Sequence, residues 1–497
     1  MNLNKADRIL LIRPENLYNY NNYPPLNLIC LASTLRLNGY NVKIINCAFE
    51  KNSLKTIGNE LGESLFVGIS LLTSEIPDAY RIMKFIKENS DVPVVVGGWH
   101  CTLFPEQMAN CEYVDYVVTG EGESHIVEIA EKIRNHIVIS DKIFHKKILN
   151  LEKLPISDYG IDANIETFIN GYLNDKLFEY VDQPMRWLPY ETSRGCPSLC
   201  TFCINVVAEN THYRKKSAEK VISEIEYIVN KYKITHLKII DDNFFVDVKR
   251  IRLICEGIIN RGLNITWDGE CRADYFNDKQ LNEETLTLAK KSGLVQLTIG
   301  IESGSPHTLK LMKKGITPEQ GEFAVRKCSE FGIVARSSFI IEIPGETMDD
   351  INKTIAFVKK LRKYPYFTCG VQVFRPYPKC ELTEKLVKEG LLREPEKFIE
   401  WTAKEVIEMY VATQYIRPWH VNPKYSEMVA YYLTMESGVS LQLDIIKRKS
   451  DRLKYIFFVW LAKVRNKYDF YKFPLDKYMY KIFFANFYKR MKKVSSC

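Results

Sequence analysis

"YETSRGCPSLCTFC", Tyr190 to Cys203, places three of the chain's thirteen cysteines within eight residues. They stand at Cys196, Cys200 and Cys203, a C-x3-C-x2-C spacing, with Gly195 before the first and Pro197 after it. A strand-like run broken by Gly and Pro reads as a loop at a strand end. Thiolates are soft ligands suited to iron–sulfur clusters or zinc, and a cubane normally takes four of them. Three leave one iron open to bind and activate a further molecule, as open positions do in catalytic metal sites. Two other readings stay open: the spacing lines one face of a buried helix, or zinc recruits a distant fourth ligand.

Downstream, β-branched runs alternate with amphipathic stretches. "THLKIIDDNF", "NITWDGECR", "VQLTIGIES", "VARSSFIIEIPGE" and "FTCGVQVFRPYP" read as strands, with helices such as "AEKVISEIEYIVNKY" between them. That makes about six β/α units in roughly 195 residues, the length of a partial parallel barrel with its functional groups at the strand ends. Upstream, "RILLIRP", "NVKIINC", "LFVGISLL", "VPVVVGGWH" and "VDYVVTGEGE" read as strands separated by helices. Their apolar runs are long enough for burial on both faces, which predicts a doubly wound parallel sheet.

The expected fold class is therefore α/β. Residues 1–145 form the doubly wound domain, 146–185 a linker, 186–385 a partial (β/α)6 barrel and 386–497 a small helical domain with a basic aromatic tail. Ligands of doubly wound sheets gather at the carboxyl ends of the strands. Here those loops are Ser70 to Glu75, Gly97 to Thr102 and Gly120 to Glu123, whose glycines let backbone amides approach a bulky ligand or simply make tight turns.

With 46% hydrophobic and 26% charged residues, the 497-residue chain is globular rather than disordered. Most of its cysteines are isolated and nothing at the start resembles a signal peptide, which fits a reducing cytoplasm. The run "YIFFVWLA" is far short of the ~20 residues that span a bilayer. The net charge of +8 is concentrated late: Ile446 to Cys497 hold fifteen Lys/Arg against three Asp/Glu. That aromatic, basic tail reads as a helical cap with snorkelling rims, or as a surface that lies on an anionic membrane or holds a lipid substrate. No nucleic-acid motif is recognised, so no nucleic-acid partner is expected.

The cysteine loop resembles the cluster motif of the radical S-adenosylmethionine (SAM) superfamily, with an aromatic, Phe202, before the last cysteine. "IIDDNFFVD", "WDGECRAD", "TIGIESGSPHTLKLMKKGIT", "FIIEIPGET" and "FRPYP" follow in the order and spacing of its cobalamin-binding branch. "PPLNLICLASTLRLNGYNV", "VGISLLTSE", "VVVGGWHCTLFPE" and "VDYVVTGEGE" resemble that branch's cobalamin domain, so the likeness runs from residue 7 to about 380.

The resemblance implies three cofactors: a [4Fe–4S] cluster, SAM and cobalamin. SAM would chelate the open iron, and an electron from an external one-electron reductant, passed through the cluster, would release a 5′-deoxyadenosyl radical. Asp242 would accept from the SAM amino group and Arg272 would meet its carboxylate. Glu302 and Ser303 would bind the ribose, and Pro344 and Gly345 would pass the adenine. A helix cap, a surface salt bridge and plain turns are the respective structural alternatives.

Cobalamin would lie on Ser70, Leu71, Leu72, Thr73, Ser74, Gly97, Gly98, Trp99, His100, Gly120, Glu121 and Gly122. No histidine follows the first strand, so Leu71, Leu72 or Tyr20 would face the lower side of cobalt, with His100 at the nucleotide tail or in a structural hydrogen bond. Two positions depart from the family pattern: Glu342 stands where Gly is common, and "PYPKC" replaces "PYPGT". The implied function is radical methylation of an unactivated carbon of a small-molecule or lipid substrate. A cobalamin-dependent cyclase or other oxidoreductase, and a cobalamin-binding sensor, are the alternatives.

Overall fold

The computed structural model describes residues 8–17, 23–148, 150–170, 185–208, 210–412, 415–437 and 449–483. Tyr20 and the tail beyond residue 483 lie outside the described residues.

The first sheet contains β1 (Arg8–Arg13), β2 (Asn41–Asn46), β3 (Ser64–Ser70), β4 (Val94–Gly97), β5 (Tyr116–Gly120) and β6 (Ile143–Lys146). All six are parallel, in the order β2-β1-β3-β4-β5-β6. Side chains alternate across a strand. Ile9 and Leu11 therefore join one apolar cluster while Leu10 and Ile12 join another on the opposite face. β6 falls at the foreseen domain edge and went unread: "IFHK" is too short and polar for a buried-strand signal.

The cysteine segment follows β7 (Trp187–Tyr190), and "TSRG" departs from the expected strand. Ser193–Arg194 (β8) instead pairs antiparallel with Arg214–Lys215 (β9), making a small clasp around the loop. β10 (His236–Ile239), β11 (Thr266–Arg272), β12 (Leu294–Glu302), β13 (Val334–Ile341) and β14 (Phe367–Val373) complete a second parallel sheet with β7, ordered β14-β13-β12-β11-β10-β7. Neighbours in space are neighbours in sequence, as in a partial barrel.

The residues after 385 pack in two places. Phe398, Trp401 and Tyr410 join the cluster on one face of the first sheet, whereas Val429, Tyr432 and Leu433 of the helix Pro423–Glu436 join the core of the second. The Ser437 hydroxyl donates to the Cys369 carbonyl of β14 at 2.6 Å.

Glu342, at the end of β13, explains part of that docking. Its backbone is left-handed, φ 62°, a conformation that favours glycine. The fully buried carboxylate accepts hydrogen bonds from Val421 N–H at 2.6 Å, Asn422 N–H at 3.0 Å and the Ser426 hydroxyl at 2.6 Å. The departure from the family pattern thus ties the C-terminal helix to the barrel. Glu342→Gly relieves the left-handed strain but leaves the buried Ser426 hydroxyl without its acceptor, at about 1–3 kcal/mol, and releases the N–H groups of Val421 and Asn422. The expected result is roughly 100-fold faster amide exchange across residues 421–437, read by hydrogen-exchange mass spectrometry. Unchanged protection there would refute the clamp.

Candidate active site

The cysteine loop is held at each step. Gly195 has φ +91°, and a Cβ there would lie 2.4 Å from the His212 carbonyl, so only glycine fits the clasp. Cys196 N–H donates to the Asn210 carbonyl at 2.9 Å; Thr201 donates from N–H to Met312 O and from its hydroxyl to Leu311 O, both at 3.0 Å. Cys200 is buried, Cys196 and Cys203 half-buried, and burial pushes the Cys203 thiol up to about 11. Burial raises the Cys200 thiol too, against the opposing pull of Lys314 and Arg272. Metal binding displaces such protons.

The fit of the donor set can be tested. Among the described residues no three His, Cys, Asp or Glu side chains converge on a point where one ion could sit. A zinc site needs that convergence. A cubane does not, because each cysteine binds a different iron. Three thiols on a hydrogen-bonded loop beside the two cations Lys314 and Arg272 fit the cluster.

The residues foreseen for SAM are partly brought together. Asp242 Oδ2 accepts from Gly195 N–H at 3.1 Å and Asn210 Nδ2 at 2.9 Å; the cap of the next helix is Asp247 instead. Arg272 donates to Asp274 at 2.9 Å and to the Lys314 carbonyl at 2.7 Å. Glu302, left-handed at φ 67°, binds Lys314 at 3.0 Å, and the Lys314 ammonium lies 5.9 Å from the Phe202 ring centre. Lys314, within the quoted "MKKGIT", was not singled out in the sequence; in space it links Glu302, Phe202 and the cysteine loop. Pro344 is buried and Gly345 exposed in a turn where Gly345 has φ +90°. Ser303, foreseen for the ribose, is fully buried, its hydroxyl bonded to Thr354 at 2.7 Å and accepting from Ser305 N–H at 3.0 Å.

Between the sheets lies a cleft of about 470 Å³. The strand ends of the first sheet supply Ser70, Leu72, Gly97, Gly98, Trp99, Gly120, Glu121 and Gly122, the clasp and the loop it closes supply Arg194 and Asn210, and the segment after β10 supplies Asp242. Leu72, Trp99 and Ile240 each expose 37% of their surface, unusual for large apolar groups inside a fold. Glycine walls with exposed apolar groups fit the broad faces of a corrin.

Four residues foreseen for cobalamin, Leu71, Thr73, Ser74 and His100, are not in the lining of this cleft. Leu71 is wholly buried, and Ser74 accepts from Asn16 Nδ2 at 2.7 Å. Thr73 contacts His100 Nδ1 at 3.3 Å, and His100 is enclosed by Phe104, Phe398 and Trp401. Burial drives the His100 imidazole down to about 3, so it is neutral and structural. The cleft's histidine is His145 of β6, whose Nδ1 meets the Thr119 hydroxyl at 2.8 Å. Glu121 lines the cleft, but its carboxylate is held by Arg214 at 2.7 Å. Arg194, next to Gly195, reaches Glu123 at 2.6 Å and Glu191 at 2.8 Å. Buried ion pairs of this kind fix register between elements. Here they lock the β5 loop to the cysteine loop.

Family comparisons agree with this geometry. A Radical SAM superfamily model matches residues 190–358 and a B12 binding domain model matches residues 19–130. An uncharacterized methyltransferase of Pyrococcus horikoshii is 33% identical over 388 residues, covering 74% of this chain and 80% of its own. The chain belongs to the cobalamin-binding radical SAM family.

Members of this family are enzymes, and the cofactors of this radical SAM protein are a [4Fe–4S] cluster, SAM and cobalamin. An anaerobic magnesium-protoporphyrin IX monomethyl ester cyclase of Rubrivivax gelatinosus is 26% identical over 403 residues, 76% of this chain and 70% of its own. The same fold occurs in the cobalamin-dependent radical enzyme OxsB, solved with aqua-cobalamin and SAM (TM-score 0.72, 19% identity, 93% of this chain and 72% of that one). It also occurs in the radical SAM methyltransferase TsrM from Kitasatospora setae (TM-score 0.61, 20% identity, 78% and 76%). No helix among the described residues is long and apolar enough to cross a membrane.

Inside the barrel, β11 presents Asp268, Glu270 and Arg272 on one face. Asp268 is satisfied by His236 at 2.9 Å and Lys238 at 3.1 Å. Glu270 reaches water, yet enclosure pushes its carboxyl up to about 7 against the opposing charge of Lys238. Three charges at period two, in a strand that should be apolar on both faces, are the signal that would have singled out Glu270. Because the native carboxyl holds its proton to a higher pH than the unfolded chain, its contribution to stability falls as pH rises from about 4.5 to about 7. Glu270→Gln is expected to match the parent's thermal midpoint at pH 5 and exceed it at pH 8. Equal midpoints at pH 8 would place Glu270 in ordinary solvent.

Proposed function

We propose that this enzyme is a radical methyltransferase that methylates an unactivated carbon of a small-molecule substrate. The observation that carries the reading is a cleft shared by the two sheets: strand-end loops of the first sheet form one wall, and Arg194, Asn210, Arg214, Ile240 and Asp242, beside the cysteine loop, form the other. When bound, the cluster with SAM supplies a carbon-centred radical and cobalamin a transferable methyl group. The chain's share is placement. Cys196, Cys200 and Cys203 hold the cluster on a loop that Gly195, Thr201 and Asn210 immobilise. Asp242 would accept from the amino group of SAM and Arg272 would meet its carboxylate, with Arg272 bonded to the Lys314 carbonyl and Lys314 paired with Glu302. Gly97, Gly98 and Trp99 form the corrin's bed, with Leu72 and Ile240 as its apolar contacts. The Arg194–Glu123 and Arg214–Glu121 pairs keep the two walls at a constant spacing, and orientation of this kind lowers the barrier to reaction.

The cyclase reading keeps the same placement without methyl transfer, and the Rubrivivax relative favours it. Incubation of reduced, cofactor-loaded protein with SAM carrying a deuterated methyl group separates them. Methyl transfer gives S-adenosylhomocysteine and a label retained by the protein; deoxyadenosine and methionine alone would contradict it.

A further inference from the structure

Helix Lys449–Lys467 buries Tyr455, Phe458, Ala462 and Asn466 against the protein. At the same helical spacing its other face points outward, with Leu453 67%, Phe457 49% and Trp460 55% exposed. The helical segment 475–483 repeats the pattern, with Leu475 73%, Tyr478 57% and Ile482 68% exposed. One apolar stripe per helix suffices to dock it; a second one left in water marks an interaction surface.

The charge around these stripes has one sign. The three acids of this region are each accounted for: Asp469, exposed, pairs with Lys359, Asp476 pairs with Arg465 at 2.7 Å, and Asp451 is buried. Lys463 and Lys472 are exposed and make no ion pair among the described residues. A second copy would bring like charge against like. Nucleic acid would leave Leu453, Leu475 and Ile482 wet. Lys and Arg rimming aliphatic and aromatic stripes match an anionic lipid interface.

We propose that residues 449–483 are a docking surface for an anionic bilayer, on which the enzyme lies without spanning it. The test is flotation of the full chain with phosphatidylglycerol–phosphatidylcholine vesicles, with phosphatidylcholine vesicles alone, and with a single-stranded RNA competitor. The expected result is binding to the anionic vesicles at least tenfold tighter than to phosphatidylcholine. Phe457→Ser/Trp460→Ser and Lys463→Glu/Lys472→Glu should each weaken it at least tenfold with cofactor content unchanged. In the unsubstituted protein, brominated lipids should quench tryptophan fluorescence, a readout that needs no variant. Equal partition of parent and variants would overturn the proposal. So would capture by RNA with no vesicle binding, or a dimer in light scattering that Trp460→Ser dissolves while vesicles are ignored.

Discussion

Cys200→Ala protein is expected to lose its iron–sulfur absorbance and to cleave SAM below detection, while binding cobalamin within about twofold of the parent. Cys200 is the buried middle ligand of the three, 6% exposed, with Lys314 and Arg272 acting on its charge. Two remaining thiols leave two irons of a cubane without a cysteine ligand instead of one. The proposed corrin bed is built from the loops after β3, β4 and β5, which the substitution does not touch. Anaerobic iron and sulfide analysis, deoxyadenosine chromatography and a cobalamin titration read the three effects separately. Parent-like deoxyadenosine formation would remove Cys200 from the cluster.

The mirror-image result is expected for Gly98→Val. Gly98 has φ +95°, a region closed to β-branched side chains, and a Cβ there would lie 2.9 Å from the Leu71 carbonyl and 3.1 Å from Ser70 Oγ. The loop must move or hold about 1–3 kcal/mol of strain. Cobalamin affinity, read by absorbance titration of apoprotein, should fall roughly ten- to hundredfold. The cluster should load normally, because the cysteine loop belongs to the other wall. Unchanged affinity would show that the corrin does not rest on the β4 loop.

Much of this was legible from local pattern. Apolar runs marked β1, β3 and β4 because strands buried on both faces have no polar positions. The C-x3-C-x2-C spacing marked the cluster loop because three soft ligands so close have few other uses. What escaped was decided by packing. Leu71 and Leu72, just past the end of β3, are adjacent and equally apolar, yet packing buries one and turns the other into the cleft. His100, at a strand end, was open to a place at the nucleotide tail or in a structural hydrogen bond; the distant Phe398 and Trp401 that enclose it give no local signal. Ser303 and Glu302 are neighbours as well, but only the tertiary fold brings Thr354 to one and Lys314 to the other. His145 sat in a stretch read as an edge between units, and Glu342 showed as a departure from pattern whose partners lie some eighty residues away.

Electron paramagnetic resonance of anaerobically reconstituted, reduced protein, recorded with and without SAM, tests the central claim that Cys196, Cys200 and Cys203 carry a cubane with one open iron. The expected spectrum is that of a reduced [4Fe–4S] cluster whose g values shift when SAM is added. A signal indifferent to SAM, or protein that takes up zinc and never yields a cluster signal, would contradict the assignment of the site.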